Sequence, residues 1–91
     1  MSHVIRGRKK LLDRLRRLAG QVRGAQRALE RGAECADVMQ ILAACRGAVD
    51  ALLAEVVEGH VREHLAAPGL RTKEREKAAG ELNRIVRTYL K

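Results

Sequence analysis

The chain has 91 residues, a formal net charge of +8 and one aromatic residue, Tyr89. A chain this short is expected to form one domain over residues 1–91, with a core of Leu, Val, Ile and Ala; domains of this size are commonly helped by oligomerisation. The absence of Trp and Phe argues against stacking on single-stranded nucleic acid and against anchoring in a membrane surface.

The charge is unevenly placed. Residues 1–31 hold ten basic side chains (Arg6, Arg8, Lys9, Lys10, Arg14, Arg16, Arg17, Arg23, Arg27 and Arg31) against Asp13 and Glu30, while the other sixty residues carry nine basic and nine acidic groups. Unbalanced charge of that density repels itself and calls for a polyanionic partner. Double-stranded DNA is the leading candidate, because guanidinium groups match phosphate geometry and release counterions on binding. Neither a helix-turn-helix nor a zinc-finger pattern is present. No apolar run reaches membrane-spanning length and no signal peptide opens the chain, so a reducing, cytoplasmic location is expected, with the two cysteines as thiols.

Residues 1–5 read as a short arm. Ser2 is small enough for the initiator Met to be removed, which would put His3 beside a free α-amine as a chelating pair. From Arg6 to Arg31, Leu11, Leu15, Leu18, Val22, Ala25 and Leu29 recur at 4-3-4-3-4 spacing, the seam of a bundle helix. Gly32-Ala33-Glu34 breaks the period and supplies a turn.

The second helix is expected from Cys35 to about Ala66, ended by Pro68-Gly69. Cys35, Val38, Leu42, Cys45, Val49, Leu52, Val56 and His60 step by three and four residues along one stripe. His64 lies one turn beyond His60, so both imidazoles can meet one ion. Cys35 cannot join them within its own chain: twenty-five residues of helix at about 1.5 Å each hold it roughly 38 Å away, against metal–ligand bonds of about 2.0–2.3 Å. An antiparallel copy of the helix removes the difficulty by placing Cys35 of one chain opposite His60 and His64 of the other. The midpoint falls between Ala48 and Val49, among the small residues Ala43, Ala44, Gly47, Ala48 and Ala51. An isologous dimer with two identical bridging metal sites is therefore expected.

Thr72 is the expected N-cap of a third helix whose apolar face is Ala79, Leu82, Ile85, Val86, Tyr89 and Leu90. The fold class is all-α: three helices, the first two an antiparallel hairpin, with two hairpins closing a four-helix bundle.

An enzyme would need an open coordination position, an acid or base and a pocket. The spacing of His60 and His64 is that of zinc peptidases, but Val61 stands where they need Glu, and no Ser/His/Asp set or paired carboxylates accompany it. Glu63 reads as a surface charge and Cys45 as a small apolar core residue. A metal buffer would account for the ligands but not for the basic helix.

The run RGAxxALxxGxxC at 23–35, the segment ILAACRGAVDALLAEVVEGH at 41–60 and the terminal RTYLK resemble the CsoR/RcnR family of bacterial all-helical repressors across essentially the whole chain. The opening MSH, the EC at 34–35 and the GHxxEH at 59–64 resemble its cobalt/nickel-sensing branch most. The resemblance implies a homodimer paired into a homotetramer, a metal-free form that represses an efflux gene by binding operator DNA, and release on metal binding. It also implies DNA contacts by Arg14 and Arg17, to which charge and helix face add Lys10.

His3, Cys35, His60 and His64 are the expected metal ligands. The family's copper sensors have a second Cys where this chain has His64, its persulfide sensors have one where this chain has His60, and its formaldehyde sensors have Pro where this chain has Ser2. Three imidazoles and a thiolate suit Ni(II) or Co(II) as effector, with Zn(II) also accommodated, better than Cu(I). A formaldehyde- or Cu(I)-responsive repressor and a metal buffer are the alternative readings.

Overall fold

The computed structural model describes residues 7–90. They form three helices, α1 (Arg8–Glu30), α2 (Cys35–His64) and α3 (Thr72–Tyr89). The expected start of the first helix at Arg6, together with the arm that carries His3, lies outside the described residues.

The turn between α1 and α2 follows from one glycine. Gly32 has φ +71°, Ala33 N–H donates to the Ala28 carbonyl at 2.9 Å, and Gly32 N–H donates to the Leu29 carbonyl at 3.1 Å. This pair of bonds is the Schellman stop, which satisfies the last carbonyls of α1 and needs a left-handed residue after the cap. The chain reverses there, and α2 runs back along α1.

α2 is unbroken for thirty residues, with no interruption at Gly47. It ends at His64, slightly before the expected Ala66, as the N–H groups of Leu65 and Ala66 both donate to the Val61 carbonyl. α3 then packs on the C-terminal part of α2. Its N-cap is Arg71 rather than the expected Thr72: Thr72 already has helical backbone and no side chain caps the end, while Arg71 pairs with Glu74 at 3.6 Å. The inner face of α3 also differs by one position. Ala78 is buried, Ala79, Leu82 and Ile85 are partly covered, and Val86, Tyr89 and Leu90 are exposed.

A single chain makes a thin slab of 55 × 29 × 13 Å, barely one helix thick. Its buried apolar residues are Ala25, Ala28, Cys45, Leu52 and Ala78. Only part of each seam is covered. Leu15, Val22 and Leu29 on α1 stay exposed seven residues apart, and so do Cys35, Leu42 and Val49 on α2. Leu15 and Val49 of these rows help line an open, largely apolar groove of about 450 Å³ between α1 and α2, together with Arg8, Leu11, Leu12, Leu18, Leu52, Leu53 and Val56. The small residues around the expected midpoint of α2 do not share a face with Val49. At about 100° per residue, Ala43, Gly47 and Ala51 lie roughly 120–160° round the helix from Val49, on an exposed face.

Candidate functional site

Helical spacing brings His60 and His64 together near the C-terminal end of α2. Both are half-buried, and their ring centroids are 5.2 Å apart at an interplanar angle of 52°. Metal–nitrogen bonds of about 2.0–2.1 Å, with roughly another ångström from nitrogen to ring centre, put two imidazoles on a shared tetrahedral ion roughly 5 Å apart. The observed pair fits that requirement. His60 Nε2 is 3.0 Å from the Ala78 carbonyl oxygen of α3. A carbonyl can only accept, so Nε2 carries the proton and the lone pair of the neutral ring is at Nδ1. A carbonyl in this role fixes both tautomer and ring orientation, as it commonly does for metal-ligating histidines.

Cys35 is the first residue of α2, exposed and free of any disulfide. With the helix uninterrupted between them, the thiol and the imidazoles stay about 38 Å apart in one chain. Among the described residues no group of three or more His, Cys, Asp and Glu side chains is gathered at metal-binding distance. His3 lies outside the described residues. Cys45 is a buried free thiol, as its place in the stripe led us to expect.

The cationic candidates lie on a different side of the hairpin. Arg17 is roughly 160° round α1 from Leu15, and with Arg14 and Gln21 it lines a shallow recess floored by Leu18, Ala48 and Leu52. Arg17 and Lys10 are exposed. Arg14 is engaged within the chain: its guanidinium donates to the Glu55 carboxylate of α2, forming a half-exposed ion pair between the basic helix and the histidine-bearing one. Lys10 borders a small groove with Gly7, Glu55, Gly59, Arg62 and Glu63, just before the histidine turn.

Neither Ala78 nor Glu55 stood out in the sequence. The 4-3-4 spacing of Ala78, Leu82, Ile85 and Tyr89 could have indicated the first. Nothing in the sequence distinguishes Glu55 from the neighbouring acidic residue Glu58.

Residues 7–88 match the family of metal-sensitive transcriptional repressors. The chain is 52% identical over 91 residues, the full length of both, to an uncharacterised protein encoded in the bioA 5′ region of Serratia marcescens. It is 40% identical, again over the full length of both, to a transcriptional repressor RcnR homolog of Escherichia coli O139:H28. Among solved structures it is similar to a glutamate-to-histidine variant of the formaldehyde-responsive regulator FrmR from Salmonella enterica serovar Typhimurium. That likeness has a TM-score of 0.85 and 37% identity, and it covers 92% of this chain and 94% of the other. The chain therefore belongs to the CsoR/RcnR family of metal-sensitive transcriptional repressors, which is regulatory rather than enzymatic. Among the described residues, no helix is long and apolar enough to cross a membrane.

Proposed function

We propose that this chain is a cytoplasmic repressor of a metal-efflux gene whose metal-free form binds operator DNA and is released by Ni(II) or Co(II). The observation that carries this reading is the unbroken α2, with an exposed thiol at its first residue and two imidazoles in metal-sharing geometry at its last turns. A site that needs both ends is completed by a second chain. Cys35 lies on the exposed heptad row with Leu42 and Val49, so closing the apolar groove against an antiparallel copy would carry it toward the partner's histidine turn. The dimer is a four-helix bundle, and two dimers make the homotetramer. His3 is the fourth protein ligand. The mixed nitrogen and sulfur donor set favours Ni(II), Co(II) or Zn(II) over Cu(I).

Lys10, Arg14 and Arg17 form the DNA surface of α1. A metal that binds the DNA-incompetent conformation more tightly lowers DNA affinity, and by reciprocity DNA lowers metal affinity. The Arg14–Glu55 pair links the basic helix to α2, and the His60–Ala78 bond links α2 to α3, so a metal held by His60 would bear directly on the packing of α3 against α2. The deciding experiment is binding to DNA from the protein's own promoter, without metal and with Co(II), Ni(II), Zn(II) or Cu(I). Release by Ni(II) or Co(II) is expected at lower free metal than by Cu(I). Equal affinity in all of these conditions would refute the reading.

The likeness to a formaldehyde-responsive regulator, together with the exposed thiol of Cys35, supports a second reading as an aldehyde sensor. Adding formaldehyde to the same binding assay separates the two. Release by formaldehyde but by none of the metals would select the second.

A further inference from the structure

Residues 32–91 are neutral as a block, but the helices divide their charge. α2 carries Arg46 and Arg62 against Asp37, Asp50, Glu55, Glu58 and Glu63. From Arg71 to Lys91 the chain has seven basic residues against Glu74, Glu76 and Glu81. An acidic helix is thus followed by a second basic segment, which the block average conceals.

We propose that the outer face of α3 is a second contact surface for the DNA phosphate backbone, centred on Arg84 and Arg87. This rests on the reading of the chain as a DNA-binding repressor and adds a surface to it. α3 turns Ala78, Leu82 and Ile85 inward. On its opposite face Lys73, Lys77, Gly80, Arg84 and Arg87 follow one another at 4-3-4-3 spacing, and all five are exposed. Fourteen residues of helix extend this stripe over about 21 Å, the length of roughly six steps along one DNA strand. At its centre, a Cβ on Gly80 would meet nothing within 4 Å, and the recess of about 340 Å³ around it is lined by Asn83, Arg84, Arg87 and Thr88 with no acidic group.

The basic residues at the base of α3 are used internally: Arg71 pairs with Glu74, and Arg75 donates to the Ala67 carbonyl at 3.3 Å. Arg84 and Arg87 have no ion pair among the described residues, although Glu76 and Glu81 border the stripe. The helix dipole accounts for Arg87 in the last turn but opposes Lys73 near the start. A polyanion accounts for both ends, because each phosphate neutralised releases condensed counterion.

The test measures affinity for a mixed-sequence DNA duplex over a salt series, for the metal-free wild type, Arg17→Gln, Arg84→Gln/Arg87→Gln and Lys73→Gln/Lys77→Gln. Circular dichroism and light scattering check that each variant keeps its helicity and assembly mass. Each lost phosphate contact lowers the log–log salt slope by about 0.9, so Arg84→Gln/Arg87→Gln should lose about 1.8 for each chain in contact with the duplex. Lys73→Gln/Lys77→Gln should also lower it. An unchanged slope in both double variants, with a lowered one in Arg17→Gln, overturns this surface and leaves the repressor reading standing. An altered assembly mass with an unchanged slope also overturns it, making the stripe a contact between chains. A wild type without salt-dependent DNA affinity removes both.

Discussion

The two ends of α2 are prepared to different degrees. At the C-terminal end, α3 packs alongside, the Ala78 carbonyl orients His60, and His64 lies one turn away with its ring at metal-sharing distance. At the N-terminal end, Cys35 is exposed on the first turn, and among the described residues the backbone bonds nearby stop α1 and start α2. On the proposed reading, one end would be a half-site held in shape by its own chain, and the other a donor that a second chain brings to it. A helix of this length cannot fold its ends together, so on the proposed reading sensing would be a property of the assembly rather than of the fold.

Removing the donor should break that relation most completely. Cys35→Ala is expected to abolish the metal response while leaving metal-free DNA binding intact, because the thiolate is the softest and strongest ligand and α1 needs no metal to meet phosphate. Titrating DNA release with Ni(II) and Co(II) checks both halves of this statement. Loss of operator affinity in the metal-free variant would contradict the separation.

Mixing chains sharpens the same point with a half-sized effect. When a Cys35→Ala chain pairs with a His60→Ala/His64→Ala chain, the heterodimer has one intact site and one stripped of both contributions. It should bind about half the tight metal of the wild-type dimer. Isolated heterodimers that bind none tightly would rule out sharing between chains.

On the basic helix the comparison becomes one between neighbours. Arg17 is exposed, while Arg14 is partly neutralised by Glu55, one turn before Gly59 and His60. Arg17→Ala should reduce the log–log salt slope of DNA binding by about 0.9 for each chain in contact with DNA, and Arg14→Ala by less. Equal losses in a salt titration would mean that DNA releases Arg14 from its carboxylate.

Much of this was legible in the sequence. The 4-3 seam of α1, the Gly32 stop, the stripe from Cys35 to His60 and the apolar face after the Pro68-Gly69 break established three helices and the separation of thiol from imidazoles, because periodicity and rise per residue are local properties. The choice of Ala78 over Ala79 depends on how α3 settles on α2, and the pairing of Arg14 with Glu55 rather than Glu58 depends on the register of the hairpin. Those are tertiary facts, invisible to spacing along one helix. The small residues of mid-α2 show the same limit: position along the chain puts them at the expected midpoint, while rotation about the helix sets Ala43, Gly47 and Ala51 on a different face from Val49.

The smallest predicted effect concerns that face and compares two glycines. Gly32 holds φ +71°, and a Cβ there would meet nothing within 4 Å, so the cost of Gly32→Ala is backbone strain alone, about 1–2 kcal/mol. Gly47 is inside α2 with an ordinary helical φ, and a Cβ there also meets nothing within 4 Å. Alanine relieves the entropic penalty of glycine in a helix, so Gly47→Ala should stabilise each chain by up to about 1 kcal/mol. The two variants should therefore shift the thermal midpoint in opposite directions, by about 4–8 °C per kcal/mol for a unit of this size. The sign at Gly47 tests more than helix propensity. If another chain packed closely on this face, a new methyl would clash and the gain would turn into a loss, together with a change in assembly mass. A raised midpoint at unchanged mass leaves the face open and keeps the dimer contact on the Leu42–Val49 row, where the thiol and the imidazoles need it.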